Sequence, residues 1–255
     1  MPVSPDLSKR ELATLAAAIA LLAALPLLPS IQQDQSYHQF ADSRTWLGIP
    51  NGADVLSNLA FIAAGALGLA SLPPAARRLA ETTRRALWVF FVGLVLTGLG
   101  SSWYHLHPTD ETLFWDRLGM TVSFAGVLAA IISQRVSERF ATPMLYALLA
   151  AGIGSVLYWA ESGSLSPYVL IQFGGLLALL GLLALTREPR DPLPWGQVLL
   201  WYGVAKVFES ADRVIWAWTG GLVGGHALKH LAAAGAGFAL ASALKANRWT
   251  TPLPG

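Results

Sequence analysis

The chain has 255 residues, of which 54% are hydrophobic and 13% are charged, and it carries a formal net charge of +2 and no cysteine. So small a charge, without a basic run interleaved with aromatic residues, gives no indication of nucleic-acid binding. The lack of cysteine excludes disulfides, thiolate metal sites and cysteine nucleophiles. This apolar composition predicts an all-α polytopic membrane protein.

Eight apolar stretches have the length of a membrane-spanning helix. In chain order they run approximately over Leu12–Leu28, Asp54–Leu72, Ala86–Tyr104, Trp115–Gln134, Pro143–Ala160, Tyr168–Leu185, Trp195–Asp212 and Gly225–Ala246. The first is expected to be an uncleaved anchor because "LPLLPSIQQ" offers no clear cleavage site, although the basic start "SKRE" also suits a signal peptide. We therefore predict an N-terminal helix and a polar non-cytoplasmic loop over 1–53, a seven-helix core bundle over 54–246 and a cytoplasmic tail over 247–255.

The charges between these segments predict an orientation. Counting eight segments places twelve of the 17 basic residues on one side: Lys9, Arg10, Arg77, Arg78, Arg84, Arg85, Arg135, Arg139, Arg187, Arg190, Lys245 and Arg248. The opposite connections carry mainly acidic residues: Asp34, Asp42, Asp110, Glu111 and Glu161. The positive-inside rule then places both termini in the cytoplasm. This topology, without cysteine or eukaryotic targeting tails, is compatible with a bacterial inner membrane.

Three distant segments place polar residues at a similar membrane depth. The third ends in "GLGSSWYHLHPTDE" with Ser101 and His105, the fourth begins with "TLFWDRLGM" and Asp116, and the eighth begins with His226 and His230 in "GGHALKH". Three neutral imidazoles with one open position form a common catalytic zinc site. The pattern therefore predicts a Zn²⁺ site, with Asp116 as the base and Ser101 placed to stabilise an oxyanion.

Other interpretations of the same residues remain open. The pair is not the zinc-protease signature H-E-x-x-H, because Ala227 stands where that motif needs its glutamate. Histidines at a membrane interface are often solvated or cap a helix, and Asp116 beside Arg117 suits an ordinary ion pair. Ligation of a haem by two histidines is a more specific alternative, but a haem needs its two ligands on facing helices across a porphyrin-sized gap. His38 and His107 are not expected to be ligands.

The motifs "GSSWYH", "WDRLGM" and "GGHALKH", in this order, resemble those of the alkaline ceramidases. The same superfamily contains lipid-remodelling proteins and progestin/adiponectin-type receptors. Its pattern is S-x3-H in one helix, an aspartate eleven residues after that histidine, and H-x3-H in the last helix. The resemblance covers about Asp54 to Ala246. It implies that His105, His226 and His230 bind zinc, that Asp116 activates the attacking water and that Ser101 stabilises the oxyanion.

The resemblance also implies an activity. This activity is zinc-dependent hydrolysis of the amide bond of a ceramide-like membrane lipid to a fatty acid and a sphingoid base, at a site toward the non-cytoplasmic face. The alternative is a receptor-like or lipid-remodelling member of the superfamily that acts on another lipid. The sequence carries no indication of oligomeric state.

A calcium site is a second implication of the resemblance. Alkaline ceramidases bind Ca²⁺ through an acidic N-terminal loop, and "YHQFADSRTWLGIPNGADVLSNLAF" is similar to it in outline. Asp42, Asn51 and Asp54 supply oxygen atoms suited to this hard cation. Arg44 brings a positive charge into the loop, and the alternative is a polar loop whose Asn51 or Asp54 caps the following helix.

The stretch "KVFESADR" interrupts the seventh segment with charges. Lys206, Glu209 and Asp212 recur at a spacing of three residues, and Arg213 lies four residues after Glu209. These spacings predict pairing along one helix face, which makes an intramembrane helix tolerable.

Overall fold

The computed structural model describes residues 6–75, 79–186 and 193–246, which form helices and loops without a β-strand. The helices are α1 (Lys9–Ala24), α2 (Gly52–Ser57), α3 (Leu59–Ala75), α4 (Glu81–Leu106), α5 (Asp110–Arg135), α6 (Glu138–Ser162), α7 (Ser166–Leu185), α8 (Trp195–Ser210), α9 (Asp212–Trp218) and α10 (Gly225–Lys245). Each predicted segment is helical close to its expected bounds, which confirms the all-α prediction.

Within the described residues, seven helical segments are long and apolar enough to cross a membrane, as expected for an integral membrane protein. These segments are Lys9–Leu27, Gly52–Ala75, Glu81–Leu106, Asp110–Arg135, Glu138–Ser162, Ser166–Leu185 and Gly225–Lys245. The helix in the predicted segment Trp195–Asp212 is shorter than these seven. Helix α8 has 16 residues and ends at Ser210, and Ala211 separates it from α9. Arg77, Arg78, Arg187, Arg190, Arg248 and the predicted tail 247–255 lie outside the described residues.

The antiparallel helices α4 and α5 form the centre of the bundle. Helix α3 packs against α4 and α10, α8 packs against α10, and α6 packs against α5 and α7. Glycines bring α4 and α5 close together, as small residues do between membrane helices. A Cβ on Gly126 would lie 2.3 Å from the backbone nitrogen of Phe90, and one on Gly119 would lie 2.4 Å from that of Thr97.

Replacing Gly126 with valine is expected to force α4 and α5 apart and to destabilise the bundle. Added core volume typically costs about 1–3 kcal/mol, and here the obstructing atoms belong to backbone. We expect a lower melting temperature of the detergent-solubilised protein. Gly154→Val is the control because a Cβ at Gly154 meets no atom within 4 Å. Equal melting temperatures for the two variants would contradict the close packing.

Helix α1 is held against the core by an ion pair between the buried Glu11 and the partly exposed Arg139. The Glu11 side chain is 1% exposed and accepts hydrogen bonds from Arg139 Nε at 2.9 Å and Arg139 Nη2 at 2.8 Å. Its Oε2 also accepts from the backbone nitrogen of Ser8 at 2.8 Å, which closes a capping box. The N-terminal end of α1 is thus joined to the start of α6.

The two ends of the bundle differ in character. Residues 28–51 cover one end, hereafter the loop end, where α4 finishes and where α2, α5 and α10 begin. The described basic residues Lys9, Arg10, Arg84, Arg85, Arg135, Arg139 and Lys245 lie at the opposite helix ends. All three segments with predicted site residues present them at the loop end.

Candidate metal centre

The structure brings together the three histidines that the sequence singles out. His105 lies in the last turn of α4, and His226 and His230 lie in the first turns of α10. Their ring centroids are 4.8 Å apart for His105–His226 and 4.9 Å apart for the other two pairs. Each offers a ring nitrogen within 4.8 Å of the others, and their exposed fractions are only 0%, 6% and 2%. This arrangement can hold one metal ion.

The histidines also fit a metal by their hydrogen bonding. Both ring nitrogens of His105 are buried and have no hydrogen-bond partner among the described residues. Burying an unpaired polar group is costly, and coordination of an ion by one of these nitrogens offsets part of that cost. Imidazole ligands suit zinc, copper, iron and nickel.

Ser57 fixes the orientation of His230. Its hydroxyl lies 2.8 Å from the backbone oxygen of Asp54 and 2.8 Å from His230 Nδ1. A carbonyl only accepts, so the Ser57 hydroxyl donates to Asp54 and accepts from the Nδ1–H of His230. This tautomer leaves the lone pair of His230 Nε2 free for a metal, a common role of polar groups behind metal ligands.

His226 is positioned from the loop end. Its backbone nitrogen donates to Asp212 Oδ1 at 2.9 Å, while Asp212 Oδ2 accepts from the backbone nitrogen of Ala41 at 2.9 Å. Lys229 Nζ lies 2.9 Å from His226 Nε2 and 3.4 Å from Glu209 Oε1. Coordination through His226 Nε2 therefore requires Lys229 to turn toward Glu209.

The end of α4 is held by the loop that precedes α2. Asn51 Nδ2 donates to the backbone oxygen of His105 at 2.8 Å. Asn51 precedes α2 with φ 48° and makes no capping bond, so the predicted Asn51 cap is wrong. The Phe40 ring lies 4.5 Å from the His105 ring and 4.8 Å from the His226 ring, and it covers the histidines on their loop side.

A mostly apolar cavity of about 430 Å³ adjoins the histidines. Its polar wall includes Ser101, Asp116 and His230, and α7 and α8 supply much of its apolar wall. Ser101 and Asp116 are 1% and 6% exposed. The Ser101 hydroxyl faces the Asp116 carboxylate, yet it has no hydrogen-bond partner among the described residues. The cavity therefore places a carboxylate and a free hydroxyl beside one of the three imidazoles.

The three predicted calcium ligands are placed differently. The Asp42 carboxylate accepts from Arg44 Nε at 2.8 Å and Arg44 Nη2 at 2.7 Å. Burial opposes ionisation of Asp42, but its hydrogen bonds and ion pair with Arg44 outweigh burial and lower its pKa. Asn51 turns its amide to His105, whereas both carboxylate oxygens of Asp54 and Oδ1 of Asn58 are buried without a partner in the described chain. A calcium site stays a prediction, and Asp54 is the one of the three with unshared carboxylate oxygens.

The charges of the α8 region are paired partly as predicted. Lys206 Nζ lies 2.6 Å from Glu209 Oε2, which confirms pairing along that face. Asp212 instead accepts backbone N–H groups at the loop end. Local sequence pattern does not indicate this role, nor those of Ser57 and Lys229, because each depends on contact with a distant segment.

His38 joins the loop to the ends of α4 and α5. Its Nδ1 lies 2.9 Å from the Tyr104 hydroxyl and its Nε2 lies 3.1 Å from Asp110 Oδ1. His107 is exposed and ends α4. Neither residue belongs to the histidine group that can hold a metal.

No family model, curated protein or solved structure matches this chain. Any assignment of function therefore depends on the site itself and on the spacing of its residues. That site combines three buried imidazoles, a carboxylate and a hydroxyl at the polar end of an apolar cavity.

Proposed function

We propose that this protein is a zinc-dependent intramembrane amidohydrolase that cleaves a ceramide-like lipid to a fatty acid and a sphingoid base. The convergence of His105, His226 and His230 beside a cavity lined by Asp116 and Ser101 carries the proposal. The resemblance of the motifs to alkaline ceramidases points to the same chemistry.

Each residue has a defined part in the proposed reaction. His105, His226 and His230 hold the zinc. When bound, the zinc supplies a Lewis acid that polarises the amide carbonyl and lowers the pKa of water to about 7. Asp116 accepts the proton of the attacking water and delivers it to the leaving nitrogen as the C–N bond breaks. The Ser101 hydroxyl donates to the carbonyl oxygen as negative charge develops there.

The shape of the cavity favours a lipid substrate. Helix α5 lines it from Leu113 to Leu128, which corresponds to about 22 Å along the helix axis. The wall far from Asp116 includes Leu128, Leu179 and Val198 and is apolar. An acyl chain in this part of the cavity would leave its amide at the polar end.

Two rival functions make different demands on the site. Three imidazole rings within 4.9 Å of one another suit one small ion better than a planar haem between two opposed ligands. A lipid receptor needs a pocket but not the carboxylate and hydroxyl beside the metal ligands. The complete set of site residues therefore favours catalysis.

Fatty-acid release from a panel of lipids tests the proposed function. The zinc-loaded protein is incubated with ceramides of several chain lengths and with ester lipids, and an absorption spectrum is recorded beforehand. We expect fatty acid from at least one ceramide and no haem absorption band. A zinc-loaded protein that releases fatty acid only from esters, or from no lipid in the panel, would refute ceramide hydrolysis.

The proposal includes an orientation, with the site toward the non-cytoplasmic face and the termini in the cytoplasm. The helix ends opposite the loop end carry seven described basic residues, as the positive-inside rule predicts for that orientation: Lys9, Arg10, Arg84, Arg85, Arg135, Arg139 and Lys245. Because the chain has no cysteine, single introduced cysteines report the sidedness. In intact cells, we expect an impermeant maleimide to label Ser43→Cys, whereas Glu138→Cys, at an exposed site of the other end, reacts only after lysis. The reverse labelling pattern would contradict the orientation.

Ser57→Ala is expected to weaken zinc binding. Without the hydroxyl, His230 Nδ1 loses its acceptor and the ring is free to adopt the other tautomer, a change that typically costs about 10–100-fold in metal affinity. Competition with a zinc chelator measures the affinity. Ser71→Ala is the matched control, because Ser71 is also buried and bonds only the Leu67 backbone oxygen among the described residues. Equal zinc affinities of the two variants would exclude this role of Ser57.

A further inference from the structure

Arg117 lies in the cavity beside Asp116, and the proposed reaction does not use it. Its side chain is buried, with 7% of the residue exposed. The guanidinium lies over the Trp159 ring at 4.1 Å and over the Tyr168 ring at 5.1 Å. Its Nη2 donates to Gln33 Oε1, whereas Nη1 is buried without a hydrogen-bond partner in the described chain. The aromatic rings and Gln33 thus fix the guanidinium while one donor group stays unused.

Burying a guanidinium with an unused donor costs desolvation free energy unless a ligand pairs with that donor. Arg117 forms no ion pair with a carboxylate among the described residues, including the adjacent Asp116. The planar N–H groups of arginine suit the oxygens of a phosphate, sulfonate or carboxylate. The unused donor therefore indicates an anionic partner.

The two lysines of the cavity and Asp34 have partners. Lys206 and Lys229 share the Glu209 carboxylate, at 2.6 Å and 3.4 Å. Asp34 is an exposed residue of the cavity wall, and its carboxylate accepts from the Ser36 backbone nitrogen at 2.8 Å. Since these groups are already engaged, Arg117 is the cation most available to a ligand.

We propose that Arg117 binds an anionic group on the headgroup of the lipid substrate. This inference rests on the proposed function and narrows its substrate class to N-acyl lipids whose headgroup carries a phosphate, sulfonate or carboxylate. Arg117 follows Asp116 on α5 at the loop end, and the apolar wall extends away from both. The headgroup anion thus binds near the amide that is cleaved, and the acyl chain lies along the apolar wall.

Two lipids that differ only in the headgroup test this inference. One is a neutral N-acyl amino alcohol, and the other is its phosphate monoester with the same acyl chain. We expect wild type to favour the phosphate ester in kcat/KM by about tenfold or more, the usual effect of one charge-assisted hydrogen bond. Arg117→Gln removes most of this ratio, and Arg117→Lys, which keeps the charge but not the planar fork, restores part of it. Arg85→Gln removes an exposed arginine paired with Glu81 at the opposite end and keeps the wild-type ratio.

Retention of the same two lipids by the zinc-loaded protein, measured by native mass spectrometry, gives a readout that does not need turnover. Preferential retention of the phosphate ester that disappears in Arg117→Gln supports the inference, with or without hydrolysis.

Hydrolysis of both lipids at equal rates would overturn the inference while the proposed function stands. Absence of hydrolysis refutes the proposed function, and equal retention then overturns the inference too. Inorganic phosphate that displaces the phosphate ester at equal concentration would assign Arg117 to a free anion and contradict a headgroup site.

Discussion

Replacing His105 with alanine is expected to abolish zinc binding and, with it, hydrolysis. The structure offers three imidazoles as ligands, and His226 and His230 alone leave a site with two. Structural and catalytic zinc sites use at least three protein ligands, so we expect zinc to fall from about one per chain to near zero after dialysis. Elemental analysis of the purified protein measures this change.

His107→Ala is the matched control for this experiment. It removes a histidine only two positions further along, which is exposed and lies outside the histidine group. We expect His107→Ala to retain wild-type zinc, and size-exclusion chromatography to show that both variants remain folded. A folded His105→Ala protein that binds as much zinc as His107→Ala would show that the ion lies elsewhere.

Asp116→Asn is expected to slow hydrolysis by about 10²–10⁴-fold while zinc remains bound, because an amide cannot accept the proton of the attacking water. Asparagine has nearly the same shape as aspartate, so the cavity wall and the histidines are expected to stay in place. The measurements are single-turnover rates on a ceramide and zinc content, in the same preparation.

Glu111→Gln provides the comparison for Asp116→Asn, since Glu111 is an exposed carboxylate in the first turn of α5. We expect its rate to match wild type. An Asp116→Asn rate within a few-fold of Glu111→Gln would exclude Asp116 as the base. Loss of zinc in Asp116→Asn would instead assign it to holding the ion.

The fold was largely predictable because a membrane restricts the chain to apolar helices of a set length. Alternation of those helices then placed His105 at the end of one and His226 and His230 at the start of another, on the same side. The four-residue spacing of His226 and His230 puts both on one helix face. Convergence of the three histidines followed from topology and periodicity, without any knowledge of packing.

The groups that position these histidines were not predictable from local pattern. Ser57 contacts His230 across 173 residues of sequence, and Asp212 joins the start of α10 to Ala41. The break of α8 at Ala211 places Asp212 in that position, whereas hydropathy indicated one continuous segment. The sequence also left open an ordinary ion pair between Asp116 and Arg117, but Arg117 stacks on Trp159 and bonds Gln33 instead. These contacts are tertiary, and no local periodicity encodes them.

Removal and stepwise return of zinc test the central claim most directly. The purified protein is stripped with a chelator, and fatty-acid release from a ceramide is followed as zinc is added back. We predict that stripping abolishes hydrolysis and that activity returns in proportion to bound zinc, reaching its maximum at about one ion per chain. Full hydrolysis by the stripped protein, or none by the protein with one zinc restored, would contradict a zinc-dependent lipid amidohydrolase.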